Sequence, residues 1–131
     1  MSRRYIKKSK SRRLKAKCDL LWGKIIRSKG YCEARELGGC LGFLDGAHII
    51  KRDASPLRHN LENGISLCRK HHFWFDKGVA MEVSEWFNKK FPGRWEKLKE
   101  MDYLAVGANK IDYEKVLKNL ERKLQDVQES Q

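Results

Sequence analysis

Apolar residues in this chain recur with helical spacing in most segments and crowd into two short runs near the middle. Across residues 12–28, Leu14, Cys18, Leu21, Trp22, Ile25 and Ile26 follow one another at steps of four, three, one, three and one, the mark of an amphipathic helix. Gly30 is a natural stop. Cys18 lies on the apolar stripe and reads as core, since a free cysteine packs as a small hydrophobe. Residues 31–42 are Gly-rich and irregular. Residues 43–50 are mostly apolar and end in Ile49 and Ile50, which predicts a strand; the polar residues 51–60, with Pro56, predict a loop. A second strand is expected over 64–67 and a helix over 69–77, stopping near Gly78. The centre thus reads strand, long loop, strand, helix.

Downstream, residues 82–91 predict a helix with Val83, Trp86 and Phe87 inward, broken by Pro92 and Gly93. Trp95, Leu98 and Met101 mark another turn or two. Asp112 is a good N-cap for a helix reaching about Val127. There Tyr113, Leu117, Leu120, Leu124 and Val127 alternate steps of four and three, as in a coiled-coil seam. So short a seam fits packing on its own domain or a helix pair between chains, hence a monomer or a weak dimer.

Charge divides the chain. The net charge is +12, yet residues 1–17 hold nine Lys or Arg and no acid, leaving 20 basic against 17 acidic residues elsewhere. The excess is an N-terminal arm, residues 1–17, ahead of one domain over 18–131. Arg12, Arg13 and their neighbours suit a polyanion, because each neutralised phosphate releases counterions; a solvated tail is the blander reading. No stretch approaches the roughly 20 apolar residues of a membrane span, and the arm is followed by no apolar signal core. A cytoplasmic protein without membrane partners is expected. Its four cysteines then read as thiols or metal ligands rather than disulfides.

Two constellations carry chemistry. Cys68 and His71 stand three apart at the strand-to-helix junction, with Cys32 and Cys40 upstream in the Gly-rich turn. Together they offer four ligands suited to a closed tetrahedral Zn²⁺ site. Seven residues separate the upstream pair, a long gap that Gly38 and Gly39 would let fold back. In the second constellation, neighbouring helical residues point about 100° apart, so His72 faces away from a site that His71 closes. Asp76 lies one turn beyond His72 on the same face, and the pair could chelate Mg²⁺ or Mn²⁺ with open positions.

Gly46-Ala47-His48-Ile49-Ile50, then Asn63-Gly64-Ile65-Ser66-Leu67-Cys68, then His71-His72 resemble the HNH endonucleases of phages and bacteria. The resemblance covers residues 32–78. It implies an α+β fold: a small ββα-metal core with a structural zinc site, flanked by N- and C-terminal helices, the latter over 82–128. It also implies His48 as the general base, Asn63 as the brace of the loop carrying it, His72 as a catalytic metal ligand, and Cys32, Cys40, Cys68 and His71 as zinc ligands. Two departures stand out. Ala47 replaces the Asp that many members carry just before the first His, which makes Asp76 a stronger ligand candidate than Asp45. His71 stands where many members have Cys.

The expected function is metal-dependent hydrolysis of DNA phosphodiesters, with Lys51, Arg52 and Arg58 of the loop holding phosphates and little sequence preference. The alternative is a zinc-stapled DNA-binding module without cleavage. Family members suggest phage packaging or recombination proteins as further partners.

Overall fold

A computed structural model of the chain describes residues 3–51, 56–105 and 111–130, with side chains from residue 10 onward. Helix α1 spans Arg3–Arg27, strand β1 Leu44–His48, strand β2 Gly64–Cys68, and helix α2 Arg69–Lys77. Helices α3 (Ala80–Lys90), α4 (Arg94–Ala105) and α5 (Tyr113–Glu129) complete the chain, with short 3₁₀ turns at Arg35–Leu37 and Leu61–Asn63. The class is α+β, as expected. Helix α1 starts well before the periodic stretch over 12–28, so most of the basic arm is helical. Its first turns lack apolar residues at helical spacing, and periodicity alone could not reach them.

The strands pair antiparallel, with Asp45 opposite Leu67, Ala47 opposite Ile65 and His48 opposite Gly64. Alternation splits their side chains between two layers. Ala47, Ile65 and Leu67 are fully buried and join Phe87 of α3 and Leu98 of α4 in one core. Each large aliphatic side chain so buried contributes about 1.5–3 kcal/mol. On the opposite layer Gly46 and Gly64 leave room for α1. A Cβ on Gly64 would lie 2.5 Å from Ile26 Cδ1 and 2.6 Å from Trp22 Cζ2, and one on Gly46 would lie 3.2 Å from Gly23 Cα. Glycine is therefore required here by close approach of a helix.

Helix α5 closes the second core. Cys18, Trp22, Ile25 and Ile26 of α1 are buried together with Leu120, and Tyr113, Leu117, Leu124 and Val127 pack against them. The seam of α5 is thus occupied by α1 of the same chain. The carboxylate of Asp112 caps α5, accepting from the amides of Glu114 and Lys115 at 3.1 and 3.2 Å. Arg94 ties α4 to the turn before β2, donating to the carbonyls of Glu62 at 2.8 Å and Gly64 at 2.7 Å.

The glycine seat makes a test. Gly64→Ala should push α1 off the sheet and destabilise the fold by about 1–3 kcal/mol, the usual cost of overpacking. Urea denaturation reads it; an unchanged midpoint would mean that α1 is not seated on β2.

Candidate functional site

At the β2–α2 junction the chain turns sharply, and Cys68 is the N-cap of α2, its Sγ accepting from the His71 amide at 3.4 Å. This places His71, three residues on, back over the sulfur. Cys32 is brought to the same point by its neighbour. The Glu33 amide donates to the Ser66 carbonyl at 2.7 Å, and the Glu33 carboxylate accepts from the Ser66 amide at 2.8 Å, so residue 33 docks on β2 like a strand residue. Glu36 fixes the next turn by accepting from Lys90 Nζ and Trp86 Nε1, each at 2.9 Å. Gly38 and Gly39 then take positive φ values of 79° and 72° and fold the chain back to Cys40. That is the reversal the wide Cys32–Cys40 gap demands.

The ligand atoms of Cys32, Cys40, Cys68 and His71 all lie within 4.8 Å of one another. His71 Nδ1 is 3.4, 3.6 and 3.2 Å from the sulfurs of Cys32, Cys40 and Cys68. Tetrahedral zinc, with bonds of about 2.3 Å to sulfur and about 2.0–2.1 Å to nitrogen, sets sulfur and nitrogen about 3.5 Å apart. The donor set and its spacing fit such an ion, and the cluster can hold a metal such as zinc. Burial raises the Cys68 thiol, but the amides of His71 and Leu41 and the neighbouring thiols outweigh it and hold the group below its ordinary range. Cys40 is pushed up to about 11, by desolvation and by the Cys32 and Cys68 sulfurs. Three crowded sulfurs cannot all carry charge without a cation among them.

His48 ends β1. Its Nε2 lies 2.8 Å from the Arg58 carbonyl. A carbonyl only accepts, so Nε2 carries the proton and in the neutral ring Nδ1 is the lone-pair nitrogen. The ring stacks on Trp22 of α1, with centroids 3.8 Å apart and planes within 7°. Asn63, fully buried, accepts from the Ile50 amide at 2.8 Å and donates to the carbonyls of Ile50 at 3.0 Å and Leu57 at 3.3 Å. It therefore pins both ends of the loop that leaves His48 and returns to Arg58.

Across the same cleft, His72 stands between two carboxylates. Nδ1 is 3.1 Å from Asp45 Oδ2, and Nε2 is 3.2 Å from Asp76 Oδ2. Asp45, ranked below Asp76 from sequence, thus meets His72 as closely as Asp76 does. A neutral imidazole donates from one nitrogen only, so one carboxylate faces a lone pair, an arrangement that a cation relieves. His48, Asp45, His72, Asp76, Lys51 and Arg27 line one open cleft of about 580 Å³. Residues 30–80 match the family model described as HNH endonuclease.

The matched segment is 51 of the 131 residues and is similar to the HNH endonucleases. Neither the curated proteins nor the solved structures give a match. The family match supports a nuclease in general terms. Helix α1 lies ahead of the matched segment, yet its Asp19, Trp22, Gly23 and Arg27 line the same cleft. Among the described residues, no helix is long and apolar enough to cross a membrane.

The expected phosphate contacts divide. Lys51 is exposed in the cleft, its Nζ 2.7 Å from Asp76. Arg12 and Arg13 are exposed on α1. Arg58 is mostly buried and makes a forked pair with Asp19 at 2.8 and 2.6 Å. Its structural task is thus to tie the loop to α1 rather than to present a charge to solvent. Arg52 lies outside the described residues. Asp19 and His59, 2.8 Å apart, carried no motif in the sequence. The one signal for Asp19 was that it is the first acid after the basic arm, three residues before Trp22.

Two outcomes follow for this site. Cys68→Ser should lose bound zinc by elemental analysis and lower the melting temperature, because binding and folding free energy are shared at such a site. A variant that retains full zinc would remove Cys68 from the ligand set. The second concerns pH. Burial raises the Asp19 carboxyl, but bonds to Arg58 and His59 outweigh it and hold it below the usual carboxylate range. Burial, with Arg58 and Lys15, holds His59 below the usual imidazole range against the pull of Asp19. Both groups bind protons more weakly folded than unfolded, so both add stability above their unfolded values of about 3.9 and 6.5. That stability is lost as pH falls through the lower folded values, His59 first. His59→Gln should therefore lose less stability than the parent between about pH 7 and pH 5; parallel denaturation curves would show that His59 does not contribute.

Proposed function

We propose that this chain is a metal-dependent endonuclease that hydrolyses DNA phosphodiesters with His48 as general base. The observation that carries the reading is the placement of His48 and His72 on one cleft, with the lone-pair nitrogen of His48 set by the Arg58 carbonyl. His48 Nδ1 takes a proton from the attacking water. Asn63 keeps the base in place by bonding both ends of the loop that follows it. A Mg²⁺ or Mn²⁺ ion held by His72 with Asp76 or Asp45 would supply positive charge to the phosphate under attack and to the departing oxygen. Lys51 and Arg27 hold neighbouring phosphates at the cleft mouth, and the basic face of α1, with Arg12 and Arg13, attracts the DNA backbone. Such contacts position the duplex and carry no sequence information. The Cys32, Cys40, Cys68 and His71 cluster holds zinc as a structural ion and sets the start of α2, from which His72 projects.

His48→Ala should lose about 10²- to 10⁴-fold in rate, the usual contribution of a general base, with zinc content and fold retained. Brief EDTA treatment should stop plasmid cleavage, and Mg²⁺ or Mn²⁺ should restore it, while the zinc stays bound. Cleavage by His48→Ala within about tenfold of the parent removes His48 from the mechanism. A parent chain that binds plasmid DNA and never cuts it leaves a zinc-stapled binding module.

A further inference from the structure

We infer that α1, outside the family-matched segment, supplies two positioning residues for His48: Trp22, which fixes the plane of its ring, and Asp19, which fixes the carbonyl that selects its tautomer. The consequence for rate rests on His48 acting as the general base; the orientation itself does not.

The carbonyl that accepts from His48 Nε2 belongs to Arg58. Asp19 accepts from the Arg58 guanidinium at 2.8 and 2.6 Å, and its Oδ1 meets His59 Nε2 at 2.8 Å. Trp22 Nε1 donates to the Asn60 carbonyl at 2.9 Å. Two α1 side chains, three apart and so on one helical face, therefore hold three consecutive loop residues. Asn63 holds Leu57 from the other side. The same Trp22 lays its indole face on the His48 ring at 3.8 Å. One rigid helix thus fixes the imidazole plane through its face and the imidazole proton through its edge. Close seating of α1 on Gly46 and Gly64 is what brings the indole within stacking distance. Asp19 also lines the DNA cleft, where a carboxylate repels phosphate. Its presence there is explained by what it does to Arg58 and His59, not by substrate binding.

The test uses the full-length, zinc-loaded chain and the variants Asp19→Ala, Trp22→Leu and Trp22→Phe. Plasmid cleavage with Mg²⁺ gives kcat and KM, and long-range ¹⁵N–¹H correlation spectra without added Mg²⁺ read the His48 tautomer. Asp19→Ala should keep its zinc and lower kcat about tenfold or more, the scale of a misplaced reacting group. KM should stay constant or fall, because an anion has left a phosphate site. Its His48 should show a mixture of tautomers, where the parent shows the Nε2–H form alone. Trp22→Phe keeps an aromatic face for His48 but loses the bond to Asn60, and it should lower kcat less than Trp22→Leu, which loses both. A purely structural role would lower melting temperature and leave kcat, measured well below it, unchanged. Where Trp22→Leu does not fold, Asp19→Ala decides. A kcat for Asp19→Ala within about twofold of a cleaving parent overturns the inference. If the parent does not cleave DNA, the nuclease reading fails and the spectra alone decide: tautomer mixing in Asp19→Ala supports the positioning role, and an unchanged Nε2–H form overturns it.

Discussion

Two five-residue strands cannot hold each other in water; an isolated pair of this size is marginal at best. Everything in this fold follows from the need to clamp that pair from outside. On one face the clamp is apolar, with Ile65 and Leu67 against α3 and α4. On the other it is α1, seated on two glycines. At the end of β2 the clamp is chemical: three thiols and one imidazole drawn within 4.8 Å. A metal held there would join the Gly-rich turn, β2 and α2 into one unit. The residue after Cys32 shows the economy of the device. Glu33 pairs with Ser66 through backbone and side chain, so the sulfur beside it reaches the site without a third strand.

Adjacent histidines link this clamp to the cleft. Neighbouring helical residues point about 100° apart, so fixing His71 inward directs His72 to the cleft. The two sites share one helix start: anything that lets Cys68 and His71 relax also lets His72 swing. On the opposite wall His48 has no comparable rigid helix of its own, since it sits where β1 gives way to a loop. Its constraint comes from Asn63 within the matched segment and from α1 outside it.

Much of this was legible in the sequence, and the reasons differ by residue. The zinc cluster was readable because cysteine and histidine announce their chemistry by type and spacing. Asp112 was readable because caps are local. Periodicity found Cys18 and the α5 seam, but could not say which helix the seam meets; α1 and α5 lie at opposite ends of the chain, and only tertiary packing joins them. Trp22 read as core and nothing more, since stacking on His48 depends on the glycine seat. Asp45 was ranked below Asp76 because helical spacing guaranteed that Asp76 shares a face with His72, whereas the aim of a strand residue depends on how α2 crosses it. Arg58 looked like a phosphate contact because loop cations usually face solvent, and its pairing with Asp19 is a contact across 39 residues.

The carboxylates of the cleft bear on which group joins His72 at an ion. A neutral imidazole offers one lone pair, and its two nitrogens point apart, so a single ion meets His72 at one nitrogen and draws on the carboxylate beside that nitrogen. Asp76 is already held by Lys51 at 2.7 Å, whereas the side-chain cation nearest Asp45, that of Arg69, is 3.6 Å away and largely exposed. Lys51 meets Oδ1 of Asp76 and leaves Oδ2 beside His72, whereas Arg69 and His72 share Oδ2 of Asp45; both cations are largely exposed, and pairs of that kind contribute about 0–1 kcal/mol. Asp45 is on the strand that carries His48, and Asp76 on the helix that carries His72. Either carboxylate could therefore join an ion at His72, the helical one that spacing favours or the strand one across the cleft.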